Sequence, residues 1–310
     1  MNKMNNTNNT NNMNNMNHAS NMNHGNNKNK KSPKDTPVPN TKTNLFEGLS
    51  SFGLNAVEDI KVYDDMDQNG NQKTEQDEKS KLEEAIRKNV FLRKFKCPVC
   101  GVETKVPDVS SSSIRLERRD TDLMPIYREP NPLYYYVVFC KNCGFATIPA
   151  NVKNITERQR ALIVEKVSKT WRFEKEYPIY YTPEIAVEVH KLGLLNAIVS
   201  NDKESLRAII SLHIGWLYRI AGDSTNELMF LKTALEGFQR AYEREPGMVG
   251  GMDNNNQEYL IGELMRRTGD LHGALEWFKR VLLSTTATQR LKDMTRDQKD
   301  LIIAAINDTQ

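Results

Sequence analysis

Residues 95–101 read FKCPVCG, and residues 139–144 read FCKNCG. The chain has four cysteines, and these two stretches hold all of them. Each pair is Cys-x-x-Cys-Gly. Two residues between the sulfurs let one tight turn point both thiolates at a single ion. The glycine that follows admits the backbone conformation that brings amides toward sulfur. Two such turns offer four thiolates, a donor set that suits tetrahedral zinc. Cys97, Cys100, Cys140 and Cys143 are therefore read as the ligands of one structural zinc ion. The pairs are separated by the 39 residues from Gly101 to Phe139. A common zinc ribbon has about 15–20 there, so the hairpin between the turns is elongated.

Two other readings of the cysteines carry less. A thiol redox pair needs one Cys-x-x-Cys in a strand–helix–strand setting, which neither flank supplies. A catalytic zinc site needs an open position for water, and four thiolates close the coordination sphere. The histidines offer no substitute ligands. His190, His213 and His272 fall in the C-terminal half, His18 and His24 near the N-terminus. His213 stands in an apolar stretch and reads as a packed core residue.

The chain around these turns has 310 residues, 38% of them hydrophobic, with a net charge of +3 from 43 basic and 40 acidic side chains. Near-balanced charge gives no general argument for nucleic acid or an anionic membrane. The mean hydropathy of −0.65 is low for a fully packed chain. The longest apolar stretch, from Ala208 to Tyr218, is about half the ~20 residues that a membrane-spanning helix needs. No apolar signal region opens the sequence. The expected compartment is the cytoplasm, where paired cysteines bind metal or do redox work more often than they form disulfides.

Composition divides the chain into four parts. Residues 1–44 are an Asn-rich tail that ends in lysines and prolines, and too little apolar surface is present there to offset ordering entropy. Residues 45–95 hold a short apolar docking segment, an acidic linker, and a helix opened by Ser80 and Glu83 at capping-box spacing. Residues 96–150 are the zinc-ribbon-like module, in which IRLER and YYYVVF read as strands. Residues 151–310 read as helices with short breaks: Thr156 to Trp171, a start at Thr182-Pro183-Glu184, and turns at Asn201-Asp202, Gly222-Asp223, Gly247 to Asn255 and Gly269-Asp270. The fold class is α+β, a small β-rich module followed by an all-α domain.

The loop between the cysteine pairs mixes Arg115, Arg118, Arg119 and Arg128 with Glu117, Asp120, Asp122 and Glu129. Arginines beside Tyr134, Tyr135 and Tyr136 could form a single-stranded nucleic-acid surface. The interleaved acids largely cancel that field, so structural ion pairs are favoured. CPVCG, SSSSIRLERRDTD and NPLYYYVVFCKNCGFA together resemble a bacterial family classed as a domain of unknown function, number 2225. The resemblance extends over about residues 45 to 310 and is most specific between Cys97 and Ala146. It implies a zinc-ribbon-like segment followed by a helical, repeat-like region, with the four cysteines as ligands, and no particular activity.

The helical half carries an internal similarity. LHIGWLYRIAGD (212–223) aligns with YLIGELMRRTGD (259–270) on Gly215 and Gly262. Each stretch leads into a helix with Ala-x3-aromatic, Ala234 and Phe238 in one and Ala274 and Phe278 in the other. This is similar to the tetratricopeptide repeat, a helix–turn–helix unit of about 34 residues. Such units stack into a solenoid with a concave surface for peptides. That resemblance would turn Arg219, Asn256, Tyr259, Glu263, Arg266 and Arg267 toward the groove, although for any one of them a solvated helix face is the favoured reading. The expected function is a zinc-containing adaptor or scaffold that binds a protein or peptide and catalyses nothing. A nucleic-acid-associated zinc factor using Arg115, Arg118 and Arg119 is the alternative, and an enzyme with no recognisable site is a weaker one.

Overall fold

The computed structural model describes Glu84 and residues 86–308, which lie in one compact unit. The Asn-rich tail, the docking segment and the Ser80 cap lie outside the described residues. The N-terminal part consists of three two-stranded antiparallel hairpins. Strand β1 (Val90–Lys96) pairs with β2 (Glu103–Val109), β3 (Arg115–Arg119) with β4 (Pro125–Arg128), and β5 (Val138–Phe139) with β6 (Ala146–Thr147). CPVCGV closes the first hairpin and CKNCGF the third, so both cysteine pairs sit on hairpin ends. Strand pairing thus begins at Val90, a few residues ahead of the cysteines.

IRLER forms a strand, as its composition predicts, but YYYVVF does not. Pro132–Tyr135 is a 3-10 turn and only Val138–Phe139 is extended. Pro132 cannot donate to a strand ladder. The Asn131 side chain accepts a hydrogen bond from the Leu133 amide at 3.0 Å, and this local capping competes with extension. The three tyrosines consequently do not alternate between faces. Tyr134 and Tyr135 are buried, Tyr135 stacks on Tyr181 with ring centroids 5.1 Å apart, and Tyr136 packs on His213 at 4.2 Å.

Seven helices follow among the described residues. They are α1 (Glu157–Ile163), α2 (Pro183–Val199), α3 (Glu204–Ile220), α4 (Ser224–Arg244), α5 (Asn254–Thr268), α6 (Leu271–Leu283) and α7 (Gln289–Asn307). Thr156 and Gln159 cap α1 reciprocally, and a wider turn, Val164–Ser168, continues it. Thr182 caps α2 with Pro183 in its first turn. Helices α3 and α4 form one antiparallel hairpin and α5 and α6 a second.

The two hairpins are built alike. Asp223 caps α4 through the Asn226 amide at 3.0 Å, and Asp270 caps α6 through the Gly273 amide at 2.8 Å. Gly215 lets α3 approach Leu231, and Gly262 lets α5 approach Phe278; a methyl group at Gly262 would lie 2.7 Å from the Phe278 ring. Ala234, Phe238, Ala274 and Phe278 are fully buried. One apolar core runs from the strand region through these helices. A second, smaller core surrounds the cysteines with Phe95, Val106, Phe145, Ile163 and Val167. No helix among the described residues is long and apolar enough to cross a membrane.

Candidate metal centre

The two cysteine turns repeat one backbone pattern. The Cys97 amide donates to Val102 O at 3.0 Å and the Gly101 amide to Cys97 O at 3.0 Å. In the second turn the Cys140 amide donates to Phe145 O at 2.7 Å and the Gly144 amide to Cys140 O at 2.9 Å. Gly101 and Gly144 both adopt the left-handed conformation, with φ of 75° and 73°. Only glycine enters it at no steric cost.

Their surroundings differ. A Cβ at Gly101 would meet nothing within 4 Å, whereas one at Gly144 would lie 2.6 Å from the Trp171 ring. Trp171 covers the second turn and donates from Nε1 to Lys141 O at 2.9 Å. The Asn196 side chain, on α2, donates to Gly144 O at 3.0 Å. Trp171 and Asn196 thereby hold the second turn by hydrogen bonds, while the first packs through Cys97, Val99 and Cys100 into the smaller core with Ile163 and Val167.

The four sulfurs all lie within 4.8 Å of one another. Cys97 Sγ is 3.6 Å from Cys143 Sγ, and Cys100 Sγ is 3.7 Å from Cys140 Sγ. These are not disulfide lengths, which are near 2.05 Å, and all four cysteines are free. Four sulfurs about 2.3 Å from a central ion would stand about 3.8 Å apart at the corners of a tetrahedron. The donor set therefore fits one metal ion. The thiols share protons unequally. Hydrogen bonds from Cys143 and Cys97 pull Cys140 down to about 2, while its bond to Cys140 pushes the Cys97 thiol up to about 12. Cys143 is pushed up by the same neighbours. Among the described residues this is the one cluster of candidate metal ligands.

The residues expected to line a groove also come together, around a segment of the chain itself. The turn between β3 and β4, residues 120–124, enters the helical array. Arg219 reaches Asp120 at 2.9 Å, Asp122 at 2.7 Å and Glu227 at 2.7 Å. Arg267 reaches Asp120 at 3.2 Å, Glu263 at 2.8 Å and Thr121 Oγ1 at 2.6 Å. Arg266 pairs with both oxygens of Glu263, each at 2.7 Å. Tyr259 donates its hydroxyl to Thr121 O at 2.8 Å, and Trp216 donates to Asp122 Oδ2 at 2.9 Å. Asp122, Tyr259 and Glu263 have no exposed surface. Asn256 stands apart, held through its own side chain to Asp253 at 2.8 Å.

Four carboxylates and three guanidinium groups leave this cluster one negative charge in excess. Burial raises the Asp120 carboxyl, but the Thr121 amide and the Arg267 and Arg219 charges outweigh it and hold it below the usual range. Burial likewise opposes the Arg219 charge, and Asp122 and Glu227 overcome it. Arg115, Arg118 and Arg119 lie on the exposed strand β3. Arg115 donates to Ser112 O and Ile114 O at 2.7 and 3.1 Å, and Arg119 to Leu123 O at 3.5 Å. The tyrosines that would stack bases beside them are turned into the core. Thr121 and Trp216 are the residues that sequence reasoning missed. Asp122 is expected in structural ion pairs, but its partners, Arg219 and the Trp216 nitrogen, leave no trace in the sequence.

The fold is thus a strand region carrying a four-cysteine cluster that could hold a metal ion, followed by a helical C-terminal half. Residues 90–302 match a family described as "Uncharacterized protein conserved in bacteria (DUF2225)". The chain belongs to that family. No similar protein was found among curated proteins or among solved structures.

Proposed function

We propose that this is a cytoplasmic adaptor, fastened by one structural zinc ion, whose tetratricopeptide-like helices recognise an extended segment of a partner protein. It performs no catalysis of its own. The observation that carries this reading is the β3–β4 turn. The tight turn that carries Asp120 and Asp122 lies against Arg219, Tyr259 and Arg267 of the helices. Helices that hold DTD in this way suit an acidic partner segment alongside it. Beside the turn lies an open cavity of about 620 Å³, with Asn256, Thr288, Arg290 and Gln298 in its walls.

Zinc is the ion that four thiolates in a tetrahedron favour, and a closed sphere of this kind supports folding and leaves no place for a reacting water. Four free cysteines persist in a reducing compartment, which supports the cytoplasm. Burial of Tyr134 and Tyr135 weighs against the nucleic-acid alternative, because stacking platforms must be exposed.

Photo-crosslinking residues introduced at Asn256 and Arg290 of the full chain, in its own cell, test the reading. Lys232 and Glu236, exposed on α4, serve as controls. A discrete protein captured at the first two positions and at neither control is the expected result. Capture of the same proteins at all four positions, or of none, overturns it. Elemental analysis of the purified chain checks the metal. One zinc per chain is expected, and iron or no metal overturns that part.

A further inference from the structure

A second cavity, of about 290 Å³, lies behind the β3–β4 hairpin, under the Pro132–Tyr135 turn and against α3, α4 and α5. That is at the small end of the range for ligand pockets, about 300–1,000 Å³. Its walls are apolar and aromatic, chiefly Tyr127, Leu133, Tyr136, Leu212, Trp216 and Phe238. The Trp216 nitrogen is already bonded to Asp122, so its ring offers this cavity only an apolar face.

Two side chains break the apolar lining. His213 is 8% exposed and stands in the cavity wall. Its ring is held by Tyr136 at 4.2 Å and Trp216 at 4.9 Å. Among the described residues its Nδ1 is buried with no partner, while Nε2, which also makes no hydrogen bond there, keeps some exposed surface. Burial pushes His213 down to about 3, so at neutral pH it is a neutral imidazole with one donor and one acceptor to offer. A ligand hydroxyl in the cavity can reach the ring at Nε2 and satisfy it there.

Arg119 is the other. It borders this cavity and the larger polar one beside it, and its one hydrogen bond is the 3.5 Å contact with Leu123 O. Its guanidinium is therefore free to receive a carboxylate at the mouth. Leu123 borders both cavities as well, with a φ of 66°. A non-glycine residue rarely adopts that conformation, and such strain gathers at ligand sites.

We propose that this cavity binds a small hydroxyaryl carboxylate, with the ring against Trp216, Tyr136 and Phe238, the hydroxyl at His213, and the carboxylate at Arg119. The site adjoins the partner surface proposed above, since Arg119 and Leu123 border both cavities, but ligand binding here requires no partner there. A ligand seated here would brace the hairpin whose tip carries Asp120 and Asp122.

Calorimetric titration of the zinc-loaded full chain with three probes tests the assignment. 3-(4-Hydroxyphenyl)propionate carries both polar groups, 3-phenylpropionate lacks the hydroxyl, and 4-propylphenol lacks the carboxylate. The first is expected to bind about tenfold or more tightly than either of the others, the ratio that one hydrogen bond or ion pair at a buried site commands. Arg119→Ala, on an exposed strand, should abolish the advantage over 4-propylphenol and keep the advantage over 3-phenylpropionate. His213→Phe, checked for zinc content and far-ultraviolet circular dichroism, should do the reverse. No binding of any probe up to ~10 mM, a constant well beyond the weakest specific sites, overturns the proposal. So does an Arg119→Ala variant whose ratios equal those of wild type, even if His213→Phe fails to fold.

Discussion

The strand region is tied to the helices at two ends, by opposite means. At one end, two hairpin turns of nearly identical geometry bring four sulfurs together, close enough to hold one ion. At the other, a hairpin tip places Asp120, Thr121 and Asp122 among Arg219, Arg266 and Arg267. The cysteine end is repetitive and local, since each turn makes the same two backbone hydrogen bonds. The charged end is unique and long-range, because Arg219 and Asp122 are 97 residues apart in sequence and Arg267 and Thr121 are 146 apart. A metal site can be specified by a few residues around each turn. A buried charge cluster exists only once the whole chain has folded around it.

The contrast breaks most visibly at the sulfurs. Cys140 is fully buried at the centre of the smaller core. Cys140→Ser should abolish stoichiometric metal and release the first and third hairpins from each other. Binding of structural zinc to thiolates is worth on the order of 10 kcal/mol, more than any single side-chain contact here. Elemental analysis together with hydrogen exchange of residues 90–109 would register both effects. Retained metal with unchanged protection would show that three sulfurs suffice.

The charged end should yield less, and unevenly. Asp122 has no exposed surface, while the Asp120 side chain is 27% exposed. Asp122→Ala leaves Arg219 and the Trp216 nitrogen facing a void and should cost about 3–5 kcal/mol in denaturant unfolding. Asp120→Ala should cost about 1 kcal/mol or less, because water can reach that pair. Asp122→Asn, which keeps an acceptor for the Trp216 nitrogen and for Arg219, should cost clearly less than Asp122→Ala. Equal losses for the two aspartates would mean that burial does not govern this end.

The two cysteine turns can also be set against each other. Gly101→Ala meets only the backbone preference at positive φ, about 1 kcal/mol. Gly144→Ala meets the same preference and also drives a methyl group into Trp171, which adds about 1–3 kcal/mol of overpacking. The second substitution should lower the unfolding midpoint clearly more than the first. Matching effects would mean that Trp171 gives way freely and does not hold the turn.

What the sequence disclosed follows the same division. The cysteine spacing, the Thr182-Pro183-Glu184 start and the two Gly-Asp turns each act within about five residues, so composition alone exposes them. The helical alignment on Gly215 and Gly262 was legible because both packing contacts are repeated. YYYVVF misled because strand propensity is a statement about packing, and Asn131 and Pro132 decide the local conformation first. The RRDTD run reads as a site of structural ion pairs, and Asp120 and Asp122 do form them, but with arginines of the helices. Nothing in Asp120 or Asp122 says that Arg219 and Arg267 will bury them, since ion-pair partners this distant leave no periodic trace. Arg219, Tyr259, Glu263, Arg266 and Arg267 were marked for an inner surface by analogy with a repeat. The analogy could not reveal that the chain's own hairpin occupies part of that surface.

Between the two ends lies His213, with Tyr136 on one side, Trp216 on the other and the His190 ring 6.2 Å away. Burial holds both imidazoles low, His190 at about 4 and His213 at about 3. In the unfolded chain a histidine titrates near 6.5. Above that value neither state is protonated and the stability is full. As pH falls below it, the unfolded chain takes up a proton that the folded chain refuses, so stability declines by about 1.4 kcal/mol per pH unit for each histidine. The decline attributable to His213 ends only when the folded imidazole titrates near 3. Release of a thiolate-bound metal in acid adds its own slope, which is common to wild type and to a His213→Phe variant. The difference between the two proteins therefore isolates the histidine. The stability curve of the variant should be shallower by about 1.4 kcal/mol per unit between pH 5.5 and 4.5, a window bounded by the unfolded value above and the folded value below. Parallel curves would mean that the ring is already hydrated in the folded protein. The space beneath the tyrosine turn would then be open to water along its whole depth, and the two anchors would hold a looser seam than the packing of Tyr136 and Trp216 implies.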